Sequence, residues 1–391
     1  MISFFREIKI LFTGNLLSAI FGALCLFLIT YYGDYNEITY INYSFALAST
    51  IFTFLDFGRS NAILLSKQTK DERFNDHNFS FLLIILIILF NLIFSLIIEK
   101  SFLDVSLIVS LFIPQRTFYS VCVSIKDDFS AIISQLSLSL LKLFAVIFLI
   151  NSELNIEFLI SLFYGISLTL LSVYYLKFYK YFSLKFTFMR IRELFSDMKY
   201  IGPNNLVLVV TDKFELLFFI YLINNKEYAS FSSLIGISYL IGIFVDAVMK
   251  KLYIDLRNQK TSNRLKLYRF IKIKFKSICL LLIIILIFIP YVADIFLAFK
   301  LQTVKEIVFF SIIFQLLRFI SQFLELDFIS HGSRNILTIK IINLFLLFSG
   351  IIISYFFELN FVYILVLFCL IRIFLIIPLT LFNFERKYEH S

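Results

Sequence analysis

Apolar stretches of about 20 residues follow one another along this chain, separated by short polar breaks, from the first turn of the sequence almost to its end. About twelve can be counted, over 11–32, 41–65, 79–98, 105–124, 130–150 and 156–176, then 201–223, 229–249, 278–299, 305–326, 336–356 and 360–382. A hydrocarbon core roughly 30 Å thick is crossed by about 20 helical residues, and a backbone inside lipid must satisfy its own N–H and C=O groups. The pattern predicts an all-α integral membrane protein with about twelve transmembrane helices.

The polar positions carry a second pattern. Lys9, Asn15, Glu37, Asp56 and Lys67 recur 190 residues later as Lys199, Asn205, Glu227, Asp246 and Arg257. In each copy an apolar segment follows the Asn, a short turn carries the Glu, and a second apolar segment runs to the Asp. Acids falling periodically at helix ends would mimic this correspondence; duplication explains it without a gap. Six spans return each half to the side where it began, so the repeats are parallel, two six-helix halves related by a pseudo-two-fold axis along the membrane normal. The corresponding division is an N-terminal half over 1–176, a basic linker over 177–200, a C-terminal half over 201–382 and a tail over 383–391.

Composition excludes a soluble domain: 60% of the 391 residues are hydrophobic and 19% aromatic, with only 4 Pro and 10 Gly. The net charge of +9 would suggest nucleic acid in a soluble protein, but here its placement decides its meaning. Basic residues gather in alternate loops: Arg6, Lys9, Lys67, Lys70, Arg73 and Lys126, two longer links over 177–199 and 250–276, and Arg386 with Lys387. The positive-inside rule then places both termini in the cytoplasm. The two links mix basic with aromatic side chains; they either rest on anionic headgroups of the membrane lipids or only signal topology. The opposite loops are a few residues each, too short to enclose chemistry outside the membrane.

Cys25, Cys122, Cys279 and Cys369 all fall inside apolar spans, which suggests no disulfide framework. His77, His331 and His390 are scattered, so no metal-ligand cluster is visible, and no phosphate loop, dinucleotide fingerprint, zinc-protease signature or nucleophile elbow points to an enzyme or a cofactor. The basic and apolar start of the chain lacks a small-residue cleavage site and reads as a retained first helix.

Charges inside the spans are the informative chemistry, because each costs about 2.5–3.5 kcal/mol on insertion scales and needs a partner or a watery cavity. Counted from the helix ends, the deepest are Arg116, Lys142, Asp212, Lys213, Glu215, Arg318 and Arg372. Cations outnumber carboxylates, which points to a polar cavity for an anion, against scattered structural ion pairs as the other reading. Asp212 and Glu215 share a helix face, with Lys213 turned away by about 100°. Two such carboxylates repel, so one holds a proton and couples H+ or Na+ movement; alternatively either pairs with Lys142 or Arg318. Asp56 and Arg59 near one end of the second span, and Asp246 near the matching end of the eighth, read as salt bridges or interface residues, or as a gate. Pro114 precedes Arg116 and either frees carbonyls toward a cavity or only bends its helix.

The segment GDYNEITYINYSFALASTIFTFLDFGRSNAILLSK resembles the first outer turn and second helix of polysaccharide flippases, and IGPNNLVLVVTDKFELLFFIYLINNKEYASFSSLIGISYLIGIFVDAV resembles their seventh and eighth helices, with Asp212 at the place of a mid-helix Asp. These are the O-antigen and capsule translocases of the multidrug, oligosaccharidyl-lipid and polysaccharide exporter superfamily. The resemblance implies a polyprenyl-pyrophosphate-linked oligosaccharide moved from the inner to the outer leaflet of a bacterial inner membrane, through a cationic cavity that Arg116, Lys142, Arg318 and Arg372 would line. Polymerase and chain-length proteins of such a pathway would be partners. The usual Gly after the eighth-helix turn and the Pro that follows that helix are absent. Three competitors stand beside this reading. An O-antigen polymerase would carry a long basic outer loop, a drug exporter of the same superfamily would more often present an acidic cavity, and a major-facilitator transporter would show its charged signature where this chain has SKQTKDERFNDHN.

Overall fold

The computed structural model describes residues 2–56, 118–123, 125, 127–150, 159, 162, 202–203, 206–211, 213–235, 309–310, 313–314, 317 and 334–388. Among these residues every regular element is a helix: α1 (Ile2–Tyr32), α2 (Tyr35–Asp56), α3 (Asp128–Ile150), a 3-10 turn (Phe219–Tyr221), α4 (Arg334–Phe356) and α5 (Phe361–Tyr388). Segments within α1, α3 and α4, namely Thr13–Tyr32, Phe129–Phe148 and Leu337–Phe356, are long and apolar enough to cross a membrane. The chain packs as two compact units, Met1–Leu206 with Lys250–Arg257, and Val207–Met249 with Asn258–Ser391.

Helix starts follow from side chains that satisfy the first free N–H groups. Before α2, Asp34 Oδ1 accepts from the Glu37 amide at 2.8 Å and Glu37 Oε2 accepts from the Asp34 amide at 2.9 Å, a reciprocal capping box. Asp127 caps α3 through the Ser130 amide at 3.1 Å, and Asn360 caps α5 through the Tyr363 amide at 3.2 Å. At its other end α4 closes with Leu359 N–H donating to Ser354 and Glu358 N–H to Tyr355, while Glu358 sits at φ 47°. That is a Schellman closure, with a glutamate where glycine is favoured.

The turn before α2 recurs at the interval read from the sequence. Gly33 N–H donates to Ile29 and Ile38 N–H to Asp34; Ile223 N–H donates to Phe219 and Tyr228 N–H to Asn224, each position shifted by 190. Asn224 Oδ1 takes the Glu227 amide at 2.9 Å as Asp34 takes that of Glu37. Helix resumes at 225 in one copy and at 35 in the other. Of the other paired positions, Asn15 is buried and its amide donates to the Tyr119 hydroxyl at 3.0 Å; Asn205 and Asp246 lie outside the described residues.

In the first unit α1 and α3 run at close range. A Cβ on Gly14 would fall 2.3 Å from Ile132 Cγ2, and one turn on, Ser18 Oγ meets Ser139 Oγ at 2.7 Å and donates to the Gln135 carbonyl at 3.2 Å. Small residues four apart let two helices approach, and hydroxyls join them where lipid offers no competing water. Cys25, Ile29, Ile41, Phe52, Ala145 and Val146 close the core between α1, α2 and α3. In the second unit Gly350 of α4 admits Ile371 and Phe368 of α5. Phe214, Phe219, Phe231 and Phe368 build an edge-and-face cluster there with ring centroids 4.9–6.0 Å apart. These phenylalanines need only packing to explain them.

Burial is inverted relative to a soluble helix. The covered face of α4 carries Lys340, Asn343, Leu347, Gly350 and Ser354, while Ile341, Ile342, Phe345, Leu346, Ile352 and Ile353 point outward. An apolar exterior over a partly polar interior is what hydrocarbon solvent selects.

Candidate functional site

The second unit holds a buried ion pair at the centre of its described residues. Glu215 lies between the Phe214 cluster and the 3-10 turn, and Arg372 lies at mid-length of α5; both are buried. Arg372 Nε donates to Glu215 Oε1 at 2.7 Å and Nη2 donates to Glu215 Oε2 at 2.7 Å, with Nη2 also 2.6 Å from Oε1, so two guanidinium nitrogens converge on the carboxylate. The same Nη2 donates to the Thr211 carbonyl at 2.6 Å, one helical turn before Glu215. Phe314 covers the guanidinium plane with its ring centroid 5.2 Å from Cζ. A charge that deep is tolerated because bidentate hydrogen bonding, a carbonyl and a ring face replace the lost water.

Read from sequence, Glu215 is an ion-coupling candidate whose structural alternatives are Lys142 or Arg318, and Arg372 is a cation lining a cavity. The fold pairs Glu215 with Arg372, 157 residues away. Helical periodicity shows which residues share a face of one helix, but not which foreign helix that face meets.

Lys142 sits in the first unit, on α3, half-buried, with Nζ 6.0 Å from the centroid of the Phe45 ring on α2 and close enough to Cys25 of α1 for electrostatic interaction. Cys25 and Glu215 occupy equivalent positions of the repeat, 190 apart. One faces a lysine and the other an arginine. Asp56 is buried at the end of α2, and Lys213 is half-buried beside Glu215. Arg116, Asp212, Arg318, Arg59 and Asp246 lie outside the described residues, so neither the Asp212–Glu215 face nor the Asp56–Arg59 pair can be placed.

Three groups escaped the sequence reading. The Thr211 carbonyl carries no side-chain signal. Lys340 and Asn343 are buried on α4, and their spacing with Leu347, Gly350 and Ser354 traces one helical face, a signal obscured by the apolar residues that fill the rest of the segment. Among the described residues no group of His, Cys, Asp and Glu could hold a metal ion.

No family model matches the chain, and a search of curated proteins finds no match. Solved structures do. A MATE transporter in a straight conformation superposes with a TM-score of 0.71 at 14% identity, covering 98% of this chain and 95% of that one. The MATE multidrug transporter DinF-BH, in complex with R6G, gives 0.68 at 12% identity over 98% and 95% of the two chains. A MOP superfamily transporter from Pyrococcus furiosus, described by the reversed polarity of its binding pocket, gives 0.63 at 12% identity over 97% and 95%. Over nearly its whole length, therefore, the chain has the fold of the MATE transporters.

Proposed function

We propose that the chain is a flippase for polyprenyl-pyrophosphate-linked oligosaccharide, such as an O-antigen or capsule repeat unit, working by alternating access in a bacterial inner membrane with both termini in the cytoplasm. The observation that carries this reading is the charge balance inside the spans. The Arg372–Glu215 pair withdraws one cation and one carboxylate together, so the excess of cations is undiminished: Arg116, Lys142, Lys213 and Arg318 stand against Asp212. A net positive interior favours a substrate carrying phosphate and disfavours an organic cation. The Pyrococcus furiosus transporter, described by its reversed pocket polarity and a different function, supports the view that this fold serves substrates of either sign.

Two six-helix halves would rock against each other, the duplicated turn at 33–38 and 223–228 marking their common origin. An anion that reached Arg372 would have to release Glu215, and a carboxylate set free in a span takes up a proton; substrate entry and H+ uptake are thereby coupled, with Na+ as the other candidate ion. Asp212 would share that role, and Asp56, Arg59 and Asp246 would hold the interface ends. The polymerase and chain-length proteins of the pathway would take the product on the far side.

A drug exporter is the second reading, favoured by the solved MATE multidrug transporter that binds R6G. A deletion strain separates the two. The flippase reading expects surface glycan to vanish with lipid-linked units accumulating inside; normal glycan together with a new sensitivity to dyes and drugs would overturn it. Loss of long chains alone, with single units still exported, would indicate a polymerase.

A further inference from the structure

Phenylalanine and tyrosine are sorted differently on the outward surface. Exposed phenylalanines run along the helices: Phe144 and Phe148 on α3, Phe345 on α4, Phe374 on α5. Exposed tyrosines do not. Among the described residues they are Tyr31 and Tyr32, the last two of α1; Tyr221, the last of the 3-10 turn; Tyr355, the last but one of α4; and Tyr363, the third of α5. Each lies within about one helical turn of Asp34, Asn224 or Asn360, the polar residues that start the next helix. Tyr31 and Tyr221 hold equivalent places in the repeat, 190 apart. Tyr35, Tyr40, Tyr43, Tyr119 and Tyr228 are half-buried or buried.

In the second unit the helix ends that carry these rings are held together. Phe219 of the 3-10 turn meets Phe368 of α5 edge to face with centroids 4.9 Å apart, and Phe231 meets Phe361, the first residue of α5, at 5.9 Å. We propose that Tyr221, Tyr355 and Tyr363 sit in the phospholipid headgroup layer of one leaflet and mark where the hydrocarbon ends. A phenyl ring is stable anywhere in hydrocarbon, but a phenol is not, because its hydroxyl needs a partner that lipid tails lack. A ring that is apolar on its body and polar at its tip is satisfied at the boundary. A turn standing wholly in water would not explain Phe356 and Phe357, 76% and 73% exposed between the tyrosines. A protein partner at the turn would not explain why exposed tyrosine is absent from the described helix surfaces. The outward face of α4 below Tyr355 is continuous with the patch and apolar throughout, through Ile353, Ile352, Leu346, Phe345, Ile342 and Ile341. Its span Leu337–Phe356 has 20 residues, about the 30 Å of a hydrocarbon core. The first unit shows the same arrangement by itself, with Tyr31 and Tyr32 closing the span Thr13–Tyr32.

A depth for the ion pair follows. At about 1.5 Å of rise per residue, Arg372 on α5 below Tyr363, and Glu215 before Tyr221, lie roughly 9–14 Å beneath this boundary. Half of a hydrocarbon core is about 15 Å, so the pair stands close to the bilayer midplane, the depth at which carriers built from repeats hold their sites. The placement rests on the membrane-spanning fold and is independent of what is carried.

The chain has no tryptophan, so one introduced indole reports its own depth. The test reconstitutes the full-length protein in phosphatidylcholine vesicles and reads quenching of tryptophan emission by two lipids, one with a nitroxide on its headgroup and one brominated near the end of its acyl chain. Tyr355→Trp and Tyr363→Trp should each be quenched several-fold more by the headgroup nitroxide. Phe345→Trp and Phe374→Trp should show the reverse order, and Phe374, two positions past Arg372, reports the depth of the ion pair. The proposal is overturned if the tyrosine positions are quenched more by the deep bromines, or if iodide in the water quenches them and neither lipid does. It is overturned as well if neither lipid nor iodide quenches them, which would put a protein surface over the turn. Quenching of Phe374→Trp like that of Tyr355→Trp would remove the depth given to the pair. Failure of both tyrosine variants to accumulate would make the rings packing residues and end the proposal. None of these outcomes depends on glycan export, so the flippase reading stands or falls by its own test.

Discussion

Arg372 and Glu215 have to be judged as one unit. Removing either partner strands the other charge in the interior, at a cost of about 3–5 kcal/mol, whereas replacing both by apolar residues of similar size is near neutral. Arg372→Ala and Glu215→Ala should each lower Tm sharply, and Arg372→Met combined with Glu215→Leu should recover most of the loss; a double-mutant cycle in thermal unfolding measures the coupling. If the singles and the double lose stability additively, the pair contributes nothing. This changes how export is tested. Under the proposed flippase function Arg372→Ala would lower glycan export through instability as well as through lost substrate contact, so Arg116→Ala, judged by surface glycan at equal membrane insertion, is the cleaner probe of a cationic cavity. Unchanged export in Arg116→Ala would count against that cavity.

At the scale of elements, the contacts that organise each unit are small and local. Gly14 is the closest approach between α1 and α3, and a valine there would drive its side chain into Ile132. Gly14→Val should abolish folded protein on detergent extraction, while Gly22→Ala, at a position with open space around it, should not. Glu358 is strained at φ 47°, where a Cβ costs roughly 1–2 kcal/mol; Glu358→Gly should raise Tm. The duplicated caps offer a matched pair. Asp34→Ala and Asn224→Ala should each cost about 1 kcal/mol, and two similar losses in unfolding experiments would show the turns to be equivalent in energy as well as in geometry.

The whole molecule shows where sequence ends and fold begins. Spans of about 20 apolar residues and the interval of 190 between the paired polar positions are legible without coordinates, because chain length against bilayer thickness is a local property. The excess of cations over carboxylates within the apolar spans is equally a matter of counting. Partnership across the chain is not local. That Glu215 meets Arg372, that Ser18 meets Ser139, and that Asn343 faces inward with nothing to bond are decided by which helices pack together and at what depth. In a chain where almost every face is apolar, the hydrophobic pattern that would orient a soluble helix is nearly uniform, so small residues and buried polar pairs decide the rotation of each helix. The sequence alone therefore determined a chain of apolar helical spans with a duplicated turn and more cations than carboxylates within those spans. Tertiary structure decided which charges are already matched, because ion pairing depends on distances between residues that the chain itself holds far apart.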